Sequence, residues 1–210
     1  TCGYAAASAA TRAPDINMAF ADPAIKGIWC TRGGSTSARI LPLLDYDLIR
    51  ANPKPFLGFS DVTSLHMAIQ QRCGLVTYHG PTANRLLQFE ENDWSWGGLA
   101  SVMGMENALT IANPPDEAIY SLRPGTACGE LIGGNMSLVT ALLGTPWEID
   151  TVGRVLYLED VGEAVYALER MLTQLMYAGV LDRAAAVVLG PFTSCRNAYR
   201  EEYGPEALVG

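Results

Sequence analysis

The stretch "PFLGFSDVTSLH" (55–66) decides how the rest of the chain is read. Phe56 and Leu57 run as apolar residues up to Gly58, and Val62, Leu65 and Ile69 then recur at helical spacing. A strand therefore passes into a helix through Phe59-Ser60-Asp61, with a small hydroxyl at the corner. Such a corner lifts the Ser60 Oγ into the crevice at the end of a sheet. It also turns the backbone N–H groups of Asp61 and Val62 toward a negative charge at a helix N-terminus. The same serine can instead be a helix N-cap, the commoner role for Ser at that place. Against the hydrolase pattern G-x-S-x-G the match is incomplete, because Val62 stands where the last Gly would be.

Outward from this corner, the N-terminal side reads as a helix over 14–21 with Pro14 in its first turn, then a buried strand over 24–31. The loop "RGGS" (32–35) follows, and Ser35 or Thr36 can cap a helix through Ile40 and Leu44 that Pro42 bends or opens. The C-terminal side of the corner reads as a helix over 61–72 and a β-rich run over 75–81. Residues 82–127 break the rhythm with Trp94, Trp96, Pro114-Pro115 and Pro124-Gly125, partly helical near 99–109. Alternation then resumes: strand 130–134, a helix over 135–144 capped by Asn135, strand 154–160, helix 163–177 and strand 185–192. Strands alternating with helices imply parallel sheets whose carboxyl ends form the crevice. The expected fold is thus α/β and two-lobed, with a Rossmann-like N-terminal lobe over 1–85, a connection over 86–127 and a C-terminal α/β lobe over 128–210.

Composition excludes several classes. With 49% hydrophobic and 17% charged residues, this is an ordinary globular chain. No apolar run approaches a membrane span, and no secretory signal is visible. A net charge of −8 argues against nucleic acid, whose phosphates it would repel. The five cysteines lie far apart without a CxxC pair or nearby His, so no zinc site is expected and the thiols read as free in a reducing compartment, by default the cytoplasm. No cofactor motif is present either, since "TRGGS" (31–35) and "IGGN" (132–135) are neither GxGxxG nor GxxxxGK[ST].

A serine nucleophile needs a base, and there are two histidines. His66 lies six residues beyond Ser60, roughly 240° around a helix and about 9 Å along it, so it faces away and reads as a partly buried residue beside Val62 and Leu65. His79, at the end of the next strand beside Gly80-Pro81, can reach the crevice or be held by turn backbone. In "LYLEDVGEAVY" (156–166), Glu159 and Asp160 lie where a strand emerges at the crevice edge, and a carboxylate there can orient an imidazole. Asp160 or Glu163 can equally cap the following helix, which leaves Glu159 as the acid without a structural duty. Gly33-Gly34 and Gly133-Gly134 let backbone approach a ligand closely.

Taken in order, "FADPAIKGIWCTRGG", "LLDYDLIRANPKPFLGFSDVTSLH", "YHGP", "GELIGGNMSLVTALLGTP", "LYLEDVGE", "ERMLTQL" and "VVLGPF" resemble the LD-carboxypeptidase family of serine peptidases. The resemblance runs from about residue 12 to 195, except through 86–124. It implies a cytoplasmic, homodimeric hydrolase with a Ser–Glu–His triad that removes terminal D-alanine from murein tetrapeptide during cell-wall recycling. By this match Ser60 is the nucleophile, the Asp61 backbone N–H lines the oxyanion hole and Glu159 is the acid of the triad. Gly33, Gly34, His79 and Asn135 fall at the substrate. Related members hydrolyse a peptidyl-nucleotide of the microcin C type, and "LEDVGE" with "ERMLTQL" is closer to the recycling branch. A catalytically inactive peptide-binding relative is the rival from another class. The family's triad histidine lies after the last strand seen here, whereas no histidine follows His79, and the family's opening strand is missing as well. The chain is therefore expected to be the middle of a longer protein, truncated at both ends.

Overall fold

The computed structural model describes residues 5–86, 94–104 and 119–196. In the first half, helix α1 (Ala9–Ala21) precedes strand β1 (Ile28–Trp29), and a 3₁₀ segment (Ser37–Leu43) leads into helix α2 (Tyr46–Ala51). Strand β2 (Phe56–Gly58), a 3₁₀ turn (Ser60–Val62), helix α3 (Thr63–Cys73) and strand β3 (Tyr78–His79) follow, then α4 (Ala83–Leu86) and α5 (Trp94–Met103). The second half runs β4 (Leu131–Asn135), α6 (Met136–Ala141), β5 (Val155–Val161), α7 (Val165–Tyr177), α8 (Val180–Arg183) and β6 (Ala186–Thr193). Each half carries a parallel three-stranded sheet, in order β1-β2-β3 and β4-β5-β6. The architecture is α/β with two lobes, as the alternation of strand and helix periods requires.

Several local expectations change. The first helix begins at Ala9, because the Ser8 side chain accepts from the Thr11 N–H and caps it, so Pro14 sits inside the helix and not in its first turn. Only Ile28 and Trp29 of 24–31, and Tyr78 and His79 of 75–81, pair as strand. The helix expected after "RGGS" is a 3₁₀ segment containing Pro42, and Thr36 makes no side-chain cap. Asn135 does cap α6, its side chain accepting from the Leu138 N–H at 3.3 Å. The expected connection over 86–127, including the end of the helix near 99–109, falls in good part outside the described residues.

The lobes meet across α3. Its buried Leu65, Met67, Ala68 and Ile69 share one hydrophobic cluster with Ile132, Met136, Val139, Leu156 and Leu168 of the second lobe. Polar ties cross the same seam: the Asn135 N–H donates to Thr63 Oγ1 at 3.1 Å, and the Trp147 indole N–H to the Tyr46 hydroxyl at 3.0 Å. Burying the apolar side chains between the lobes draws the carboxyl ends of β2, β3, β4 and β5 to one crevice.

Candidate active site

Ser60 lies between the end of β2 and α3 with φ of +63°, one of two non-glycine residues in the left-handed region among those described. It does not cap a helix. The 3₁₀ turn begins at Ser60 itself after extended Phe59, and neither that turn nor α3 has a side-chain cap. A left-handed serine costs about 1–3 kcal/mol, which the surroundings must over-determine. They do so by crowding. A methyl on Gly58 would stand 2.9 Å from Val62 Cγ1 and 3.0 Å from Cys30 Cβ, so only glycine admits the tight exit from β2. A methyl on Gly33 would lie 3.2 Å from both Cβ and Oγ of Ser60. The loop "RGGS" is thereby laid against the serine hydroxyl.

Asp61 has a structural duty that its spacing did not reveal. Its buried Oδ2 accepts from the Thr36 and Ser37 N–H groups, each at 2.9 Å, and from Ser37 Oγ at 2.7 Å. The carboxylate thus pins the glycine loop to the corner, while the Asp61 backbone N–H stays out of this network. Among the described residues, no backbone carbonyl takes the N–H of Gly33, Gly34 or Asp61. Unpaired amides around a hydroxyl are the arrangement that can hold an oxyanion.

The second lobe brings carboxylates to the other wall. Asp160 accepts from Asn135 Nδ2 (2.8 Å), the Ser137 N–H (3.0 Å), Ser137 Oγ (2.7 Å) and its neighbour's Val161 N–H (2.8 Å). It therefore serves the start of α6 on the adjacent strand and not the following helix, whose N-cap Ala164 has no side-chain bond. Glu163 does not cap that helix either. Glu159 pairs in register with Asn135, and its Oε1 is buried without a hydrogen-bond partner. The β5–β6 register shifts beside it, where Gly190 and Pro191 both face Glu159. Such a bulge re-aims side chains at a sheet rim. His79 Nε2 stands 3.6 Å from Glu159 Oε1, and its ring meets Tyr157 and Phe59 edge-on.

Burial first, then the Asp160 charge, pushes Glu159 up to about 7, with Asn135 opposing the shift. Burial also pulls His79 down to about 4. The contact is thus no ion pair at neutral pH, because the imidazole is uncharged. A raised carboxyl has a measurable signature. Below the unfolded value of 4.5 its contribution to stability is fully present, and it is lost as pH rises through about 7. Glu159→Gln cannot titrate, so it should match the parent near pH 4 and exceed it by about 3 kcal/mol above neutrality. Urea unfolding across this range checks it, and a flat difference would exclude a buried proton on Glu159.

The seven candidate site residues fall into two groups of neighbours. Gly33, Gly34, Ser60 and Asp61 form one, His79, Asn135 and Glu159 the other. Thr63 and Gly134 join them: a methyl on Gly134 (φ +134°) would lie 2.8 Å from Thr63 Oγ1 and 3.0 Å from His79 Nδ1. Thr63 gave no signal in the sequence, since a β-branched residue opening a helix is unremarkable, whereas the "GG" of 133–134 did mark a close approach. His66 differs from its expectation: it is buried outright and not partly, and it holds the Gly58 carbonyl at 2.8 Å. No described imidazole is hydrogen-bonded to the Ser60 hydroxyl. Among the described residues no three His, Cys, Asp or Glu side chains converge to hold a metal, and no helix is long and apolar enough to cross a membrane.

Comparison with known proteins agrees on one family. The model of the LD-carboxypeptidase N-terminal domain matches residues 1–80, and that of the C-terminal domain residues 128–209. A probable murein peptide carboxypeptidase of Bacillus subtilis is 39% identical over 200 residues, covering 95% of this chain and 62% of the relative. The chain thus spans about three-fifths of the length of such curated relatives. Among solved structures, the microcin C7 self-immunity protein MccF in an inactive mutant apo state superposes with a TM-score of 0.84 at 28% identity, over 100% of this chain and 70% of the other. The muramoyltetrapeptide carboxypeptidase of Oxalobacter formigenes gives 0.81 at 29% identity, over 97% and 68%.

Proposed function

Because the chain belongs to the LD-carboxypeptidase family, we propose that it is the Ser- and Glu-bearing portion of a serine peptidase that removes terminal D-alanine from murein tetrapeptide. The observation that carries this reading is Ser60 in the left-handed region with Gly33 closed against its hydroxyl, a strained corner that a capping serine does not need. The similarity to a murein peptide carboxypeptidase at 39% identity supports the substrate class.

In this mechanism Ser60 Oγ attacks the carbonyl carbon before D-alanine, and its proton passes to the triad imidazole. By the family pattern that imidazole follows the last strand. Glu159, buried with a free Oε1, accepts the other N–H of that imidazole and stabilises its charged form. The Asp61 N–H and an amide of Gly33-Gly34 hold the oxyanion. The imidazolium then protonates the leaving amine, D-alanine departs, and water releases the shortened peptide from Ser60. No cofactor or metal takes part in this sequence of steps. A cytoplasmic setting and a homodimer accompany the family reading.

Fold likeness to MccF, at a TM-score of 0.84, favours a second substrate class, a microcin-like peptidyl-nucleotide. A paired assay separates the two. D-alanine release from murein tetrapeptide, with no hydrolysis of an aminoacyl-sulfamoyl or aminoacyl-phosphoramidate nucleotide, is the expected result. The reverse preference would move the protein to the immunity branch. Tight peptide binding without release, in a chain extended to the full family length, would make it an inactive binding relative.

A further inference from the structure

We infer that His66 is a positioning residue for the proposed nucleophile: its Nε2–H holds the Gly58 carbonyl and so keeps Ser60 in the left-handed conformation. The inference rests on Ser60 being the nucleophile. His66 sits in the first turns of α3 with its ring turned back to the end of β2, 2.8 Å from Gly58 O. A carbonyl oxygen only accepts, so Nε2 must carry the proton, and Nδ1 of the neutral ring is left as a bare acceptor. That Nδ1 is buried and has no partner. A side chain present for packing alone, edge-on to Phe56 at 5.5 Å, would not need to bury an unpaired nitrogen. The position therefore favours a donor aimed at one carbonyl.

That carbonyl is well chosen. Gly58 O also accepts from the Gly80 N–H at 3.0 Å, so both of its lone pairs are engaged and the Gly58–Phe59 peptide plane is fixed. Phe59 follows fully extended (φ −147°, ψ −178°), and the chain then turns to +63° at Ser60. On the far side Asp61 is held by Thr36 and Ser37. The strained serine thus lies between two anchored groups, one held from α3 by His66 and one from the glycine loop. Without the His66 donor that peptide is held by the Gly80 N–H alone, which leaves it free to tilt and Ser60 to relax out of the left-handed region.

Two substitutions that delete the donor, His66→Phe and His66→Asn (an amide too short to reach Gly58 O), are compared with His66→Gln, whose Nε2 takes the place of the imidazole Nε2. Crystal structures should show Ser60 leaving positive φ in the Phe and Asn variants and keeping it in the Gln variant. With the full-length enzyme, kcat for D-alanine release should fall about 100-fold in the first two at nearly unchanged KM, with Gln restoring most of it. Ser60 remaining near +63° in whichever donor-less variants fold, or Gln behaving like Asn, overturns the inference. A parent enzyme that releases no D-alanine would sink the reading of Ser60 as a peptidase nucleophile, while the φ comparison would still decide whether His66 sets the corner.

Discussion

On the proposed function, Ser60→Ala in the full-length enzyme should lower D-alanine release by about 10⁴- to 10⁶-fold while leaving peptide binding in place. The alanine retains the left-handed backbone and the contacts that enforce it, so it removes the hydroxyl and little else. Ser60→Gly complements it, because glycine adopts φ of +63° without penalty. That variant should be as inactive as Ser60→Ala, yet more stable than the parent by about 1 kcal/mol. Chemical denaturation together with D-alanine release measures both quantities. A serine held there only for folding would show the opposite pattern, with activity retained and stability lowered by glycine.

Gly133→Ala should cost about 4 kcal/mol or more, enough to unfold most of the population of a marginal domain. The residue has φ of +112° in β4, and a methyl there would stand 2.1 Å from the Tyr157 carbonyl oxygen and 3.1 Å from Leu156 Cδ1. The obstructing atom is backbone of the adjacent strand and cannot swing aside, so β4 must separate from β5 or the chain must distort. Either response moves Asn135 from its pairing with Glu159 two residues on. Gly153→Ala is the control, also at positive φ (+67°) but with open space around it, and should cost only about 1–2 kcal/mol. Equal losses at the two positions would show that backbone conformation alone, and not the approach of β5, sets the requirement at 133.

The strand–corner–helix reading of 55–66 survives in three dimensions because its signals are local. Apolar run, glycine and helical spacing are contiguous, and the structure places β2, the corner and α3 there. The alternation that implied parallel sheets is of the same kind, as is Asn135 capping α6. The short pairing of 24–31 and 75–81 was not legible, since how many residues of an apolar run pair depends on the neighbouring strand's length. Asp160 was misplaced for a related reason. Sequence proximity favoured the next helix, while strand pairing brought it over the start of α6.

The order of elements, the α/β class, the family and a small group of candidate residues at strand ends can all be read along the chain. These follow from periodicity, turn chemistry and motif order, which are short-range properties. Which of those residues meet depends on long-range packing. Burial of α3 between the lobes sets Glu159 against His79 and Asn135 against Thr63. The left-handed backbone of Ser60 and the reach of His66 to Gly58 likewise depend on how neighbouring elements crowd the corner. Such facts carry no local sequence signal because they depend on how close-packed elements are brought together around the corner.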